Sequence, residues 1–129
     1  MSNDDIEQIV ALVANHLRFA DVMSMKESTF KRFIRLPKFE EHLELHRIDC
    51  LGSHAILDLY NYTREKMAQL PPEQVRPKPL INGHDLIAEG YAQGPRFSEM
   101  LSAVEDAQLE GRLGTKDEAL KFVRAEFPR

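Results

Sequence analysis

The first apolar pattern in the chain is a helical stripe near its N-terminus. Apolar residues recur there at intervals of three and four, the spacing at which side chains share one face of an α-helix. Ser2 or Asn3 supplies a polar cap ahead of the stripe, and acidic residues follow the cap, where they complement the helix dipole. The pattern predicts an amphipathic first helix. Its stripe consists of Ile6, Ile9, Val10, Val13 and Leu17.

Three more helices are predicted before the chain reaches its proline-rich segment. The second helix runs from about Lys26 to Leu36, and Pro37 ends it and also suits the first position of the third. The third helix ends where Gly52 and Ser53 interrupt the apolar pattern, and a fourth fits residues 54–70.

The second half of the chain begins with four prolines between positions 71 and 79, which predict an extended connector. Beyond it, residues 83–89 form a short helix candidate, another helix opens at Gly94, and the last begins at Thr115. Glu118 follows Thr115 at the spacing of a capping box.

No window alternates with the period of a β-strand, so the sequence predicts an all-α fold. We expect a helical bundle of about six to seven helices in two subregions. The predicted regions are a helical body at 1–70, a proline-rich connector at 71–82 and a helical tail at 83–129.

Composition limits the class of protein. The chain has 129 residues, of which 43% are apolar and 29% charged, a mixture typical of a soluble domain. No apolar run approaches the 18 residues of a membrane span, and no basic-then-apolar secretory leader is visible. The single cysteine, Cys50, excludes an internal disulfide and a cysteine-rich zinc module. We therefore expect a cytoplasmic protein without a membrane partner.

The formal net charge of −4 is unevenly distributed. Residues 26–38 hold five basic residues and one acid, which leaves 12 basic against 20 acidic residues elsewhere. On a helix, the spacing of Lys31, Arg35 and Lys38 would place all three on one side, and phosphate is their natural ligand. A solvated helix with Phe30 and Phe33 in the core is the alternative. The predicted phosphate contacts are Lys26, Lys31, Arg32, Arg35 and Lys38.

Two of the predicted helices begin at a glycine, one at Gly83 and the other at Gly94. Exposed amides at such helix starts bind phosphate oxygens, and glycine permits close approach. Arg96 adds a cation beside the second of these starts. Ordinary turn chemistry is the slightly favoured explanation for both glycines, so these three residues are secondary candidates for phosphate contact.

Histidine and acidic residues offer two weaker alternatives. His42, His46 and Asp49, followed by Cys50, have a helical spacing that can hold zinc, although surface or core histidines show the same spacing. The His84–Asp85 doublet matches that of HD-type metal-dependent phosphohydrolases, but an acid in a first helical turn also stabilises the helix dipole.

Several stretches resemble bacterial CCA-adding tRNA nucleotidyltransferases and the related poly(A) polymerases. The pair Asn-Gly-x-Asp-Leu and Gly-Pro-x-Phe-x-x-x-Leu, with a downstream Gln-Leu-x-Gly, is the most specific part of the resemblance. The similar stretches are Asn15–Phe19 and Phe33–Ser53, which resemble the partly HD-like middle region, and Arg76–Gly90, Gln93–Leu101 and Gln108–Ala119, which resemble the C-terminal region.

The resemblance implies an RNA-binding body and tail without catalysis of its own. The family's head, with a Gly-Ser and an Asp-x-Asp pair that holds two metal ions, and its nucleotide-selecting neck have no counterpart in this sequence. We therefore expect no cofactor in this chain, and Mg²⁺ with CTP or ATP in the missing catalytic head. The implied partners are tRNA or another RNA, held through its backbone, and that head.

Two other functions remain open from the sequence. One is a degenerate HD-type metal-dependent phosphohydrolase that uses the histidines above. The other is a helical protein-interaction module that forms a homo-oligomer through exposed apolar faces. The sequence does not distinguish CCA addition from poly(A) addition, because that choice belongs to the head and neck.

Overall fold

The computed structural model describes residues 2–129 and confirms the all-α prediction. These residues form eight α-helices and one 3₁₀ helix, and they contain no strand. The helices are α1 (Asn3–Asn15), the 3₁₀ helix (His16–Ser24), α2 (Glu27–Ile34), α3 (Phe39–Ser53), α4 (Asp58–Gln69), α5 (Pro72–Val75), α6 (Gly83–Ala88), α7 (Arg96–Leu109) and α8 (Lys116–Glu126).

The chain divides into two compact units, with the boundary between Pro71 and Pro72. The first unit contains α1 to α4, and the second contains α5 to α8. Helix α5 lies inside the segment that the sequence marks as an extended connector. Pro72 is its first residue, a position where the missing N–H of proline costs no hydrogen bond.

Phenylalanines from three elements form the core of the first unit. The ring of Phe33 on α2 meets Phe19 of the 3₁₀ helix edge-on, with centroids 4.9 Å apart. It also meets Phe39 of α3, at 5.2 Å and an interplanar angle of 78°. Edge-to-face pairs of this kind add to the stabilisation that burial itself gives. Val22, Phe30 and Leu43 complete the buried cluster.

Helix α1 presents its apolar stripe to solvent. Such a stripe ordinarily faces a core, yet Val13 is 74% exposed and Leu17, just after α1, is 80% exposed. The buried residue of α1 is Gln8, on the opposite side. Ser2 caps α1: its hydroxyl accepts a hydrogen bond from the Asp5 amide, and the Asp5 carboxylate accepts one from the Ser2 amide.

Left-handed residues set two helix starts that differ from the sequence prediction. Lys38 has φ +52°, so α3 begins at Phe39 rather than at Pro37. Ala55 has φ +60°, so α4 begins at Asp58 rather than near position 54. A non-glycine residue in this region cannot continue an α-helix, and its strain is not visible in an apolar pattern.

The second unit has a separate apolar core around α6, α7 and α8. The Tyr91 hydroxyl donates a 2.6 Å hydrogen bond to the Phe127 carbonyl and so holds the end of α8. Thr115 caps α8 as predicted, because its hydroxyl accepts a hydrogen bond from the Glu118 amide. The Glu118 carboxylate accepts from the Gly114 amide in addition. The buried core residues are Ile81, Leu86, Tyr91, Met100, Val104, Ala119 and Val123.

Candidate nucleic-acid interface and histidine cleft

The basic segment 26–38 surrounds α2 in the first unit. Lys26 is exposed at the cap position before α2, and Lys38 is exposed in the turn after it. Arg32 and Arg35 are half-buried. The prediction that Lys31, Arg35 and Lys38 share one helix face is wrong, because α2 ends at Ile34 and the last two lie beyond it.

The set of predicted phosphate contacts also needs a correction at Lys31. Lys31 as a whole is only 7% exposed and is one of the buried residues of α2. A cation must reach the surface to meet an RNA phosphate, so this burial contradicts the prediction for Lys31. Four surface or partly exposed cations of the segment remain as candidates, namely Lys26, Arg32, Arg35 and Lys38.

Cations from α4 neutralise the acids next to these candidates. Lys66 lies 2.5 Å from Glu27, the one acid of the segment, and 4.5 Å from the centre of the Phe30 ring. Arg64 donates two hydrogen bonds to Glu40, at 2.9 and 2.6 Å, and these bonds raise the pKa of Arg64. The positive field of the basic segment is therefore not offset by free carboxylates at Glu27 or Glu40.

Gly83 lies at a helix start that an acid already occupies. The Asn82 side chain accepts from the Asp85 amide, and the Asp85 carboxylate accepts from the Asn82 amide at 2.9 Å. The same carboxylate pairs with Lys116 at 2.8 Å, and these bonds hold the pKa of Asp85 below its usual range. A phosphate at Gly83 would meet this charge. A Cβ at Gly83 would contact the Phe97 ring at 3.6 Å, an ordinary van der Waals distance, so packing does not require a glycine here.

Gly94 and Arg96 lie at the start of α7 and are exposed. The Gly94 carbonyl accepts a hydrogen bond from the Phe97 amide, and a Cβ added at Gly94 would meet no atom within 4 Å. The Arg96 guanidinium lies 5.8 Å from the centre of the Phe127 ring. This arrangement leaves both residues accessible, and their contact with RNA stays a prediction.

His42, His46 and Asp49 have different surroundings on α3. His42 is 2% exposed, stacks on Phe39, and neither ring nitrogen has a hydrogen-bond partner. Burial lowers the pKa of His42, so its neutral form is favoured. The Asp49 carboxylate is exposed and lies 3.5 Å from His16 Nε2. Among residues 2–129, no group of three or more histidine, cysteine, aspartate or glutamate side chains is arranged to hold a metal ion.

A cleft of about 460 Å³ brings together three histidines that sequence reasoning did not group. His16 comes from the 3₁₀ helix, His46 from α3, and His54 follows the end of α3. The remaining lining residues are Leu17, Phe19, Ala20, Met23, Asp49, Cys50, Ile56, Asp58 and Leu59. Only the spacing of His46, Asp49 and Cys50 on α3 was visible as a sequence signal, since the other histidines come from separate elements.

Two titratable groups of this histidine cleft, His46 and Cys50, have pKa values shifted toward the uncharged form. Burial lowers the pKa of His46, and the neighbouring imidazoles of His16 and His54 lower it further. Burial raises the pKa of the Cys50 thiol, whose sulfur lies 3.5 Å from His46 Nε2. The nucleophilic form of cysteine is the thiolate, so Cys50 is not an activated nucleophile.

Comparison with known proteins places the chain in a family. Residues 1–123 match the family described as tRNA nucleotidyltransferase domain 2. The chain belongs to this family. The match covers both units and confirms the resemblance that the sequence motifs indicate.

Relatives are enzymes that add nucleotides to tRNA, according to their names. The chain is 30% identical to the A-adding tRNA nucleotidyltransferase of Halalkalibacterium halodurans over 124 residues, 95% of this chain and 25% of that protein. It is 26% identical to the CC-adding enzyme of Thermus thermophilus over 121 residues, 92% of this chain and 27% of that protein. It is 37% identical to the A-adding enzyme of Deinococcus radiodurans over 59 residues, 45% of this chain and 14% of that protein.

The chain spans about a quarter of the length of the first two relatives. No solved structure matches the chain. Within the described residues 2–129, no helix is both long enough and apolar enough to span a membrane.

Proposed function

We propose that this chain is a tRNA-binding part of a tRNA nucleotidyltransferase, which holds the RNA backbone while a catalytic part outside the chain adds nucleotides to the 3′ end. The observation that supports this most is the family match over residues 1–123. The relatives' names state that they act on tRNA, and the chain corresponds to a quarter of their length.

The surface chemistry agrees with a backbone contact. Lys26 and Lys38 are exposed on either side of α2, and Arg32 and Arg35 are partly exposed between them. Contacts from lysine and arginine to phosphate position an RNA without reading its bases. Gly94 and Arg96 are secondary candidates in the second unit.

The chemistry of nucleotide addition is proposed to lie in the catalytic part. Mg²⁺ with CTP or ATP would bind there. The choice between adding CC, A or the whole CCA would also belong to that part. A cytoplasmic location is part of the same proposal, since the relatives process tRNA.

No observation favours a phosphohydrolase. Asp85 of the His84–Asp85 doublet is engaged in a helix cap and an ion pair with Lys116. The exposed stripe on α1 favours an interaction with another protein surface in addition to RNA binding.

Binding of two forms of one tRNA tests the proposal. If the chain holds the backbone, intact tRNA and tRNA lacking its three 3′-terminal nucleotides will bind with equal affinity. A twelve-nucleotide single strand with the acceptor-end sequence will bind more weakly. Absence of tRNA binding at low salt, or a strict requirement for the 3′ end, would overturn it.

A further inference from the structure

The Asn15–Phe19 stretch contains an arginine to which the proposed function gives no role. Arg18 lies in the 3₁₀ helix, where successive residues project to three different sides. The histidine cleft is lined by other residues of this helix and not by Arg18. The Arg18 guanidinium lies instead over the ring of Phe33 on α2, 4.7 Å from the ring centre. It therefore packs against the basic segment 26–38, to which Phe33 belongs.

Asn15 and Phe33 hold the Arg18 guanidinium in place. Arg18 Nη1 donates a 3.2 Å hydrogen bond to Asn15 Oδ1, and Asn15 Nδ2 donates a 2.8 Å hydrogen bond to the Ala11 carbonyl. The second bond turns the amide so that its oxygen faces the arginine. The Phe33 ring is fully buried, and its face attracts the cation above it. Arg18 is thus oriented before any ligand arrives, which lowers the entropic cost of binding.

Neither partner of Arg18 is charged. Its interactions within residues 2–129 are the hydrogen bond to Asn15 and the contact with Phe33. The acid nearest to it in sequence, Asp21, is exposed and is not paired with it. Arg18 is itself partly buried, and a partly buried charge without a counter-charge favours an anionic ligand. Three arginines elsewhere in the described residues each pair with a glutamate, namely Arg47, Arg64 and Arg124.

We propose that Arg18 is a further phosphate contact for tRNA and that Asn15 is its positioning residue. This inference rests on the proposed function, in which the basic segment holds the RNA backbone. A guanidinium presents a planar fork of N–H donors that matches the oxygens of a phosphate, and the bond to Asn15 uses only one of its nitrogens. Phe33 lies between Arg32 and Arg35 in the chain, so Arg18 adds a cation from a second element to these candidates.

Arg18→Gln tests the contact in the full 129-residue chain. The probe is an unmodified tRNA transcript, titrated by fluorescence at several salt concentrations. Arg18→Gln is expected to weaken binding about tenfold at low salt. It is also expected to make the salt dependence shallower by roughly 0.7 to 0.9, the value for one phosphate contact.

Arg112→Gln is the matched control for the loss of one arginine from an aromatic ring. The Arg112 guanidinium lies 5.8 Å from the centre of the Phe122 ring in the second unit, outside the basic segment. The control removes the same charge and the same kind of ring contact. We expect it to leave both the affinity and the salt dependence unchanged.

Asn15→Ala tests the positioning role. The charge of Arg18 remains in this variant, so the salt dependence is expected to stay the same while the affinity falls about threefold. Combined with Arg18→Gln, Asn15→Ala is expected to cause no further loss, because Asn15 acts through that side chain. Additive losses would show that Asn15 does not act through Arg18.

Protection of the parent chain from an arginine reagent gives a readout that does not depend on the folding of a variant. Phenylglyoxal modifies guanidinium groups, and peptide mass spectrometry locates the modified residues. Saturating tRNA is expected to slow the modification of Arg18 and to leave that of Arg112 unchanged.

Equal modification of Arg18 with and without tRNA would overturn the proposed contact. A salt dependence of Arg18→Gln equal to that of the parent chain, or an equal change in Arg112→Gln, would also overturn it. Each of these results leaves the proposed function intact, provided that the parent chain binds tRNA. Absence of tRNA binding by the parent chain at low salt would refute the proposed function itself, and the Arg18 contact with it.

Discussion

The imidazole of His46 stacks on the ring of Phe19, with centroids 4.3 Å apart and planes inclined by 11°. This pairing fixes His46 against the aromatic core of the first unit and explains why burial dominates its chemistry. Protonation would place a charge in this apolar setting, where a charge is costly. The same holds for His42, which stacks on Phe39.

We predict that the first unit loses stability as the pH falls below 6.5. Burial holds the pKa of His42 and of His46 below the ordinary value of 6.5, so the unfolded chain binds protons at a higher pH than the folded chain. Stability is therefore full above 6.5 and falls as the pH drops through 6.5 toward the folded-state values. Urea unfolding followed by circular dichroism measures the loss.

His46→Phe keeps a flat ring against Phe19 but cannot be protonated, so it should reduce this pH dependence. His84→Gln changes an exposed histidine of the second unit and serves as the control. Glu44, Asp85 and Glu89 also have lowered pKa values, but they affect stability in a different pH range. Their contribution to folding stability is lost only as the pH falls below about 4.5. An equal loss in His46→Phe and the parent chain would contradict the assignment.

The cap of α6 should contribute measurably to the second unit. Asp85→Ala removes both the reciprocal hydrogen bonds with Asn82 and the pair with Lys116, and we expect a loss of about 1 kcal/mol in the free energy of unfolding. Lys116→Ala removes the exposed pair alone and should cost clearly less than Asp85→Ala, because solvent screens the pair. Urea titrations of both variants separate the two contributions. Equal losses would show that the ion pair, rather than the cap, stabilises this end.

Replacing Gly90 and Gly52 by alanine should change the stability of the protein in opposite directions. Gly90 has φ +98°, and an added Cβ would lie 2.5 Å from Arg129 Nη1, so Gly90→Ala should destabilise the protein by about 1 to 2 kcal/mol. Gly52 lies in α3 with no atom within 4 Å of an added Cβ, and Gly52→Ala should stabilise by up to about 1 kcal/mol.

Thermal unfolding of both glycine variants provides the check. Because the Arg129 side chain can move, Gly90→Ala combined with Arg129→Ala isolates the backbone cost. A Gly90→Ala protein as stable as the parent chain would rule out the left-handed turn that follows α6.

Sequence patterns predicted which segments are helical better than they predicted the turns between helices and the packing of the helix faces. The Thr115 cap was readable because an N-cap is local, and Phe30 and Phe33 in the core were the alternative that the sequence offered for the basic segment. The left-handed turns at Lys38 and Ala55 were not readable, since neither residue type favours φ above zero. Periodicity identifies an apolar stripe, but it does not say whether the same chain covers it, as α1 illustrates.

The candidate site was predictable only in part for the same reason. Local charge counting located the basic segment, while the burial of Lys31 depends on contacts between elements. The histidine cleft gathers His16, His46 and His54 from positions up to 38 residues apart in the sequence, and no local spacing reveals such a group.

Two variants of the basic segment separate surface cations from buried ones. Lys38→Ala should weaken tRNA binding and make the salt dependence shallower by about 1, because each phosphate contact releases counterions. Lys31→Met keeps the buried stem and should leave the salt dependence unchanged. A fluorescence titration of tRNA at several salt concentrations measures both. A larger effect of Lys31→Met would contradict the exclusion of that residue.

The salt dependence of tRNA binding tests the central claim most directly. With Lys26, Arg32, Arg35 and Lys38 on phosphates, the logarithm of the binding constant should fall with the logarithm of salt concentration at a slope of about −3. The double variant Lys26→Ala, Lys38→Ala should bring the slope to about half that value. Lys78→Ala with Lys121→Ala removes two exposed lysines elsewhere and should leave it unchanged. A slope near zero, or equal slopes in both double variants, would contradict RNA backbone binding by this segment.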